Sequence, residues 1–232
     1  MSTLERSRTA SPDAAPPPPR KTASRLAASG WWVMTLCSVY IVGVVGRYLT
    51  FDPDVYFPEQ RATYLRLQTT LGVHVVCGVL ALLIGPFQFA RRLRRRFVRA
   101  HRVTGAVYVA SATGLAISGL VLAPTAYTGP VAATGFTLLG VGTLFTTWTA
   151  LRMILAHRYA EHRRWMILSF SLIWAGVMLR IWLPVYFVLA GTGLVGFSFE
   201  TAYAAISWLC WVPNLLLAPW FTRRTVERGA AW

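Results

Sequence analysis

Apolar residues in this chain neither alternate nor recur only at helical spacing; they run on almost without interruption in six stretches, at about 29–50, 68–90, 103–123, 131–152, 164–189 and 201–222. Each is about 20 residues long, the length an α-helix needs to cross the hydrocarbon of a bilayer. Because a segment in lipid must satisfy its backbone polar groups internally, the pattern predicts an all-α fold, a six-helix transmembrane bundle. The uncharged run from Val103 to Leu151 is divided by Pro124, Gly129 and Pro130, which end one helix and start another. In the sixth stretch Pro213 and Asn214 predict a kink with a polar group turned into the bundle. Residues 1–28, rich in Ser, Ala and Pro, predict a disordered cytoplasmic tail, and 223–232 form a second short tail. The first apolar run starts late and has full span length, so it reads as an anchor and not as a cleaved signal peptide.

Charge orients the bundle. Arg6, Arg8, Arg20, Lys21 and Arg25 precede the first span, Arg91 to Arg102 fill the second connection, Arg152, Arg158, Arg163 and Arg164 the fourth, and Arg223, Arg224 and Arg228 the C-terminus. The alternate connections hold only Arg47, Arg61 and Arg66, beside Asp52, Asp54, Glu59 and Glu200. Positively charged connections are retained in the cytoplasm, which predicts a multi-pass membrane protein with both termini inside.

With 55% hydrophobic and 13% charged residues and a mean hydropathy of +0.49, the spans leave no length for a soluble catalytic domain, so any chemistry sits in the bundle. The net charge of +15 suggests nucleic acid, but its placement at span ends excludes that reading. The Arg91–Arg102 cluster instead predicts attraction to anionic lipid head groups, about 1 kcal/mol per charge. Cys37, Cys77 and Cys210 lie singly in apolar stretches and support neither a disulfide framework nor a zinc knuckle.

Polar side chains at membrane depth are costly and so mark candidate sites: His74, His101, His157, His162, Arg180, Gln88 and Asn214. His101 and His162 open the third and fifth spans at the same membrane face. His101, Gly105 and Tyr108 share one face of the third helix, and His162, Met166 and Ser169 one face of the fifth, an arrangement able to hold a flat ligand such as haem between two imidazoles. His74 lies about two turns from the outer end of the second span, and Arg180 reaches about 24 Å along an inside-to-outside helix toward the same region. An arginine there needs a carbonyl, a carboxylate (Glu200, Asp52 or Asp54) or a ligand anion. His74, Arg180 and Asn214 are therefore the candidates for a ligand or quinone pocket. No serine–histidine–acid set, phosphate loop or zincin motif occurs.

Gly85-Pro86-Phe87-Gln88-Phe89, His101-Arg102-x-x-Gly105-x-x-Tyr108, His162-Arg163-x-Trp165-Met166, Leu179-Arg180 with Leu183-Pro184, and Trp211-Val212-Pro213-Asn214-Leu215 together resemble the bacterial integral-membrane family catalogued as domain of unknown function 2306. That label implies a membrane fold and no activity. More distantly, helices two to five resemble the four-helix core of transmembrane di-haem b-type cytochromes. With His101 and His162 as the one histidine pair and His74 solitary, this resemblance implies a single haem b. Two classes of function follow. One is a membrane electron-transfer protein with haem b on His101 and His162, lined by Tyr108 and Met166, and a quinone or other redox partner near His74 and Arg180. The other is a non-enzymatic protein that binds or transports a small molecule or lipid, or scaffolds a membrane complex.

Overall fold

The computed structural model describes residues 21–227, with side chains placed over 29–90 and 94–219. Residues 1–20 of the expected N-terminal tail, and 228–232, lie outside the described residues. The helices are α1 Lys21–Gly46, α2 Arg61–Arg66, α3 Gln68–Gln88, α4 Arg91–Arg96, α5 Val98–Leu122, α6 Pro130–Leu155, α7 Tyr159–Ile173, α8 Ala175–Gly191, α9 Phe199–Leu209 and α10 Val212–Glu227. There is no strand among the described residues. Among the described residues six helical spans are long and apolar enough to cross a membrane, the fifth built from α7 and α8 and the sixth from α9 and the start of α10. Helix α1 starts within the expected tail: Lys21 to Gly30 follow the last proline and are mostly good helix formers.

Local chemistry sets the ends. Gly129 adopts φ 66° before Pro130, whose fixed φ and missing N–H suit a first helical turn. Ser198 caps α9 by accepting from Thr201 N. His157 takes a left-handed conformation at the end of α6, where its N–H donates to Ile154 O and that of Arg158 to Met153 O. Its role is therefore to stop a helix.

Two spans are broken. At Trp174 the backbone makes both an i+3 and an i+4 bond (Val177 N to Trp174 O, 2.9 Å; Met178 N to Trp174 O, 3.1 Å), while the indole donates to Ser38 Oγ on α1 at 3.2 Å. At Cys210–Trp211 the break precedes Pro213, which has no N–H to give. Asn214 Nδ2 compensates by donating to Cys210 O at 2.9 Å and to Ser171 O at 3.3 Å.

The break at Trp174 gives the bundle two different halves. At the arginine-rich end, which carries α4 and Arg158, α3 packs on α5, α5 on α6 and α6 on α7, with further contacts from α3 to α7, making a closed four-helix core. Toward the other end α8 leaves that core and packs on α1 and α9, while α9 packs on α6 and α1 on α3. The result is a ring of α1, α3, α5, α6, α9 and α8. Its rim is an aromatic cluster in which Phe57, Tyr127, and Phe199 and Tyr203 of α9, from three separate segments, touch edge-to-face, tilted or stacked.

Candidate functional site

Six helices in a ring enclose more space than four, and small residues widen it: Gly78, Gly119, Gly140, Gly176, Ala116 and Ala175 all face the centre. The resulting cavity has a volume of about 240 Å³ and is lined by all six spans. Its walls are mostly aliphatic and aromatic, with Tyr48, Tyr64, Tyr203 and Phe136 among them. Above it, Gln60 is buried and donates to Thr125 O at 2.6 Å, and Tyr64 OH donates to Gln60 Oε1 at 3.0 Å. Burial pushes the Tyr64 phenol above its ordinary value, so it stays protonated and keeps donating. These bonds tie the segment after the first span to the hairpin between α5 and α6, and Gln60, Tyr64 and Thr125 all line the cavity.

His74 and Arg180 both line this space. His74 Nδ1 lies 3.1 Å from Leu115 O and 3.3 Å from Ser118 Oγ, and its ring comes within 3.3 Å of where a Cβ on Gly119 would stand. Because Leu115 O only accepts and Ser118 gives its own proton to Gly114 O (2.6 Å), Nδ1 carries the hydrogen. Nε2 has no protein partner among the described residues. Arg180 is half-buried, and one amino group donates to Gly176 O on its own helix at 3.2 Å. Among the described residues no carboxylate pairs with it: Asp54 pairs with Arg61 at 3.3 Å, Asp52 accepts from Asp54 N, and Glu200 is exposed with no ion pair. The ion pair that the sequence allowed does not form, because the acidic residues stay on the exposed connections. A delocalised, permanently charged guanidinium thus faces an apolar cavity with most of its donors unused.

The rest of the expected pocket lies elsewhere. Asn214 is not a lining residue; it repairs the broken sixth span. The residues missed by sequence reasoning are Gln60, Tyr64 and Tyr203. Tyr203 is an ordinary interfacial residue by type, and the other two precede the apolar stretch that carries His74.

At the arginine-rich end His101 and His162 are half-buried and within electrostatic reach of each other and of Arg94. His162 Nδ1 lies 2.9 Å from Ala150 O, which fixes its proton there and leaves Nε2 free. The faces paired in sequence do meet: Tyr108 OH lies 3.1 Å from Ser169 Oγ, and Thr147 Oγ1 2.7 Å from the same oxygen, all three residues fully buried. Tyr108, Met166 and Phe170 pack into one core cluster on the interior side of the histidines. A flat ligand held by both rings therefore sits at the mouth of the bundle, not within it.

The hydroxyl trio is a three-helix clasp joining α5, α6 and α7. Ser169→Ala is expected to strand two buried hydroxyls and cost about 1–3 kcal/mol in SDS unfolding, whereas Tyr108→Phe/Thr147→Val/Ser169→Ala together cost less than that single change.

A family model described as "Predicted membrane protein (DUF2306)" matches residues 71–222, more than half of the chain and the region holding His74, the histidine pair and Arg180. No curated protein and no solved structure matches. Nothing in these comparisons supports a relationship to b-type cytochromes.

Proposed function

The chain belongs to the DUF2306 family of predicted membrane proteins, and we propose that it binds a small amphiphilic molecule, through an oxygen-bearing head, in the cavity that holds Arg180 and His74. The observation that carries this reading is Arg180 itself. A charge at membrane depth is costly unless compensated, and its single backbone bond leaves the remaining guanidinium donors for a ligand. Orientation enters by charge: the arginine-rich end faces the cytoplasm, so both termini are inside and the cavity lies in the outer half of a bacterial plasma membrane. Arg95, Arg96, Arg99 and Arg102 are exposed there, where they meet anionic head groups.

The test is extraction of the protein purified in mild detergent, followed by mass spectrometry of the extract. Wild type should carry a stoichiometric amphiphile that Arg180→Leu loses while remaining helical and monodisperse. Identical extracts would remove this reading.

One observation favours a second reading, haem b ligation at the cytoplasmic mouth. His162 is held through Nδ1 with Nε2 free, the arrangement of a metal-ligating histidine oriented by a backbone carbonyl. On that reading a dithionite-reduced minus air-oxidised spectrum shows a b-type Soret and α-band, and His101→Ala/His162→Ala abolishes it. A colourless wild type grown with adequate haem leaves only the cavity reading.

A further inference from the structure

Resting on the cavity reading, we infer that the ligand is a quinol-type ring, a lipid-soluble aromatic ring carrying hydroxyl groups, bound in its hydroxylated form in preference to its carbonyl form. The preference follows from donors and acceptors. Most polar groups around the cavity are already committed: Tyr64 donates to Gln60, Gln60 donates to Thr125 O, and Thr143 gives its hydroxyl hydrogen to Leu139 O. What remains is the Arg180 guanidinium, which only donates, and Nε2 of His74, together with the phenols of Tyr48 and Tyr203. With the Nδ1 hydrogen directed at Leu115 O, the neutral His74 ring presents Nε2 as an acceptor.

A ligand complementary to both therefore accepts a hydrogen bond from Arg180 with one oxygen and donates one to His74 with another. A carboxylate satisfies Arg180 but brings a lone pair to Nε2. A quinone does the same, since its two carbonyl oxygens only accept. A simple alcohol satisfies His74 but has no second oxygen for the arginine. A hydroxylated ring meets both demands at once, with one oxygen accepting while the other gives its proton to the imidazole.

Size and wall chemistry agree. A volume of about 240 Å³ lies below the usual range for a whole drug-sized ligand and suits one ring. Tyr48, Tyr64, Tyr203 and Phe136 supply aromatic surface for it. Gln60 and Tyr64 line the cavity outside the spans and its other walls are almost all membrane-spanning helix, so a ligand soluble in the bilayer suits it better than one from water.

Anaerobic isothermal titration of the purified protein, using a decyl-substituted benzoquinol, the matching quinone, the dimethyl ether of the quinol, and dodecanoate, tests this. Wild type should bind the quinol about tenfold or more tightly than the quinone or the dimethyl ether, because only the quinol has a proton for Nε2. His74→Phe should reduce that ratio to near one while still binding the quinone, and Arg180→Leu should weaken both. The wild-type ratio and the dimethyl ether need no variant, so misfolding of His74→Phe leaves the inference open to refutation. Quinone binding equal to or tighter than quinol overturns it, as does a preference that survives in a folded His74→Phe. Dodecanoate binding that depends on Arg180, with neither ring bound, overturns the quinol inference and leaves the cavity reading standing. Binding of none of the four, with identical wild-type and Arg180→Leu extracts, removes both.

Discussion

Gly85→Ala will destabilise the bundle by about 1–3 kcal/mol, a large effect for a single methyl group. A Cβ at Gly85 would stand 2.1 Å from Phe170 Cε2 and 2.5 Å from Cδ2, well inside any real contact. The Phe170 ring has nowhere to retreat: it is 4% exposed, packs against Phe89 at 5.5 Å and lies beside Tyr108 in the core of the four-helix half. Either α3 and α7 move apart, losing contacts along both, or the ring leaves its rotamer. Unfolding in an SDS titration, followed by helical circular dichroism, measures the loss. The mechanism makes a sharper statement through the double variant: Gly85→Ala/Phe170→Leu should lose less than the sum of the two single changes, by about 0.5–3 kcal/mol. Strict additivity would show that the glycine matters for something other than the ring.

In the same segment the sequence motif and its physical cause are separate things. Gly85-Pro86-Phe87-Gln88-Phe89 stands out in sequence only as a pattern. In the structure these residues each hold a neighbouring helix. Gly85 admits Phe170, Pro86 O accepts from the Trp31 indole at 2.8 Å, Phe87 meets Trp31 edge-on, and Gln88 donates to Thr104 Oγ1 at 2.7 Å. The motif is a junction where α1, α5 and α7 meet α3.

The six spans were legible because length and missing charge are one-dimensional properties that a bilayer demands directly. His74 and Arg180 were legible for a related reason, since a polar group at membrane depth stands out against its neighbours. The cavity was not. It depends on the divergence of α8 from α7 at Trp174, a break with no proline, where the bend is accompanied by a tertiary bond to Ser38. Pro184, the proline of that span, lies inside α8 and not at the break. Facing was hidden too, because these spans are apolar nearly all round and periodicity carries little information about which side is inward. Asn214 shows the opposite limit. Its polarity was visible, but its bonds to Cys210 O and Ser171 O depend on backbone geometry around Pro213 that no spacing encodes.

Arg180→Leu is expected to separate binding from stability, raising the second while removing the first. In the ligand-free protein the guanidinium is half-buried in an apolar cavity, with one bond to Gly176 O and no carboxylate partner among the described residues. An arginine at the centre of a membrane helix costs about 2.5–3.5 kcal/mol on insertion scales, and its partial exposure and backbone bond relieve only part of that. Leucine keeps the aliphatic stem's packing and drops the charge, so the ligand-stripped variant should unfold at a higher SDS fraction than stripped wild type, by about 1 kcal/mol. Were Arg180 half of a buried ion pair, its loss would instead destabilise by about 3–5 kcal/mol, so the sign of the change decides between a structural and a ligand-binding arginine. Binding should move the other way. A hydrogen bond to a charged group is worth about 1.5–3 kcal/mol, which predicts a roughly 10- to 100-fold weaker affinity for the molecule extracted from wild type. Unequal, opposite shifts in the two measurements are what a polar group held ready for a ligand produces: its cost is borne by the empty protein and recovered when an oxygen arrives at the guanidinium.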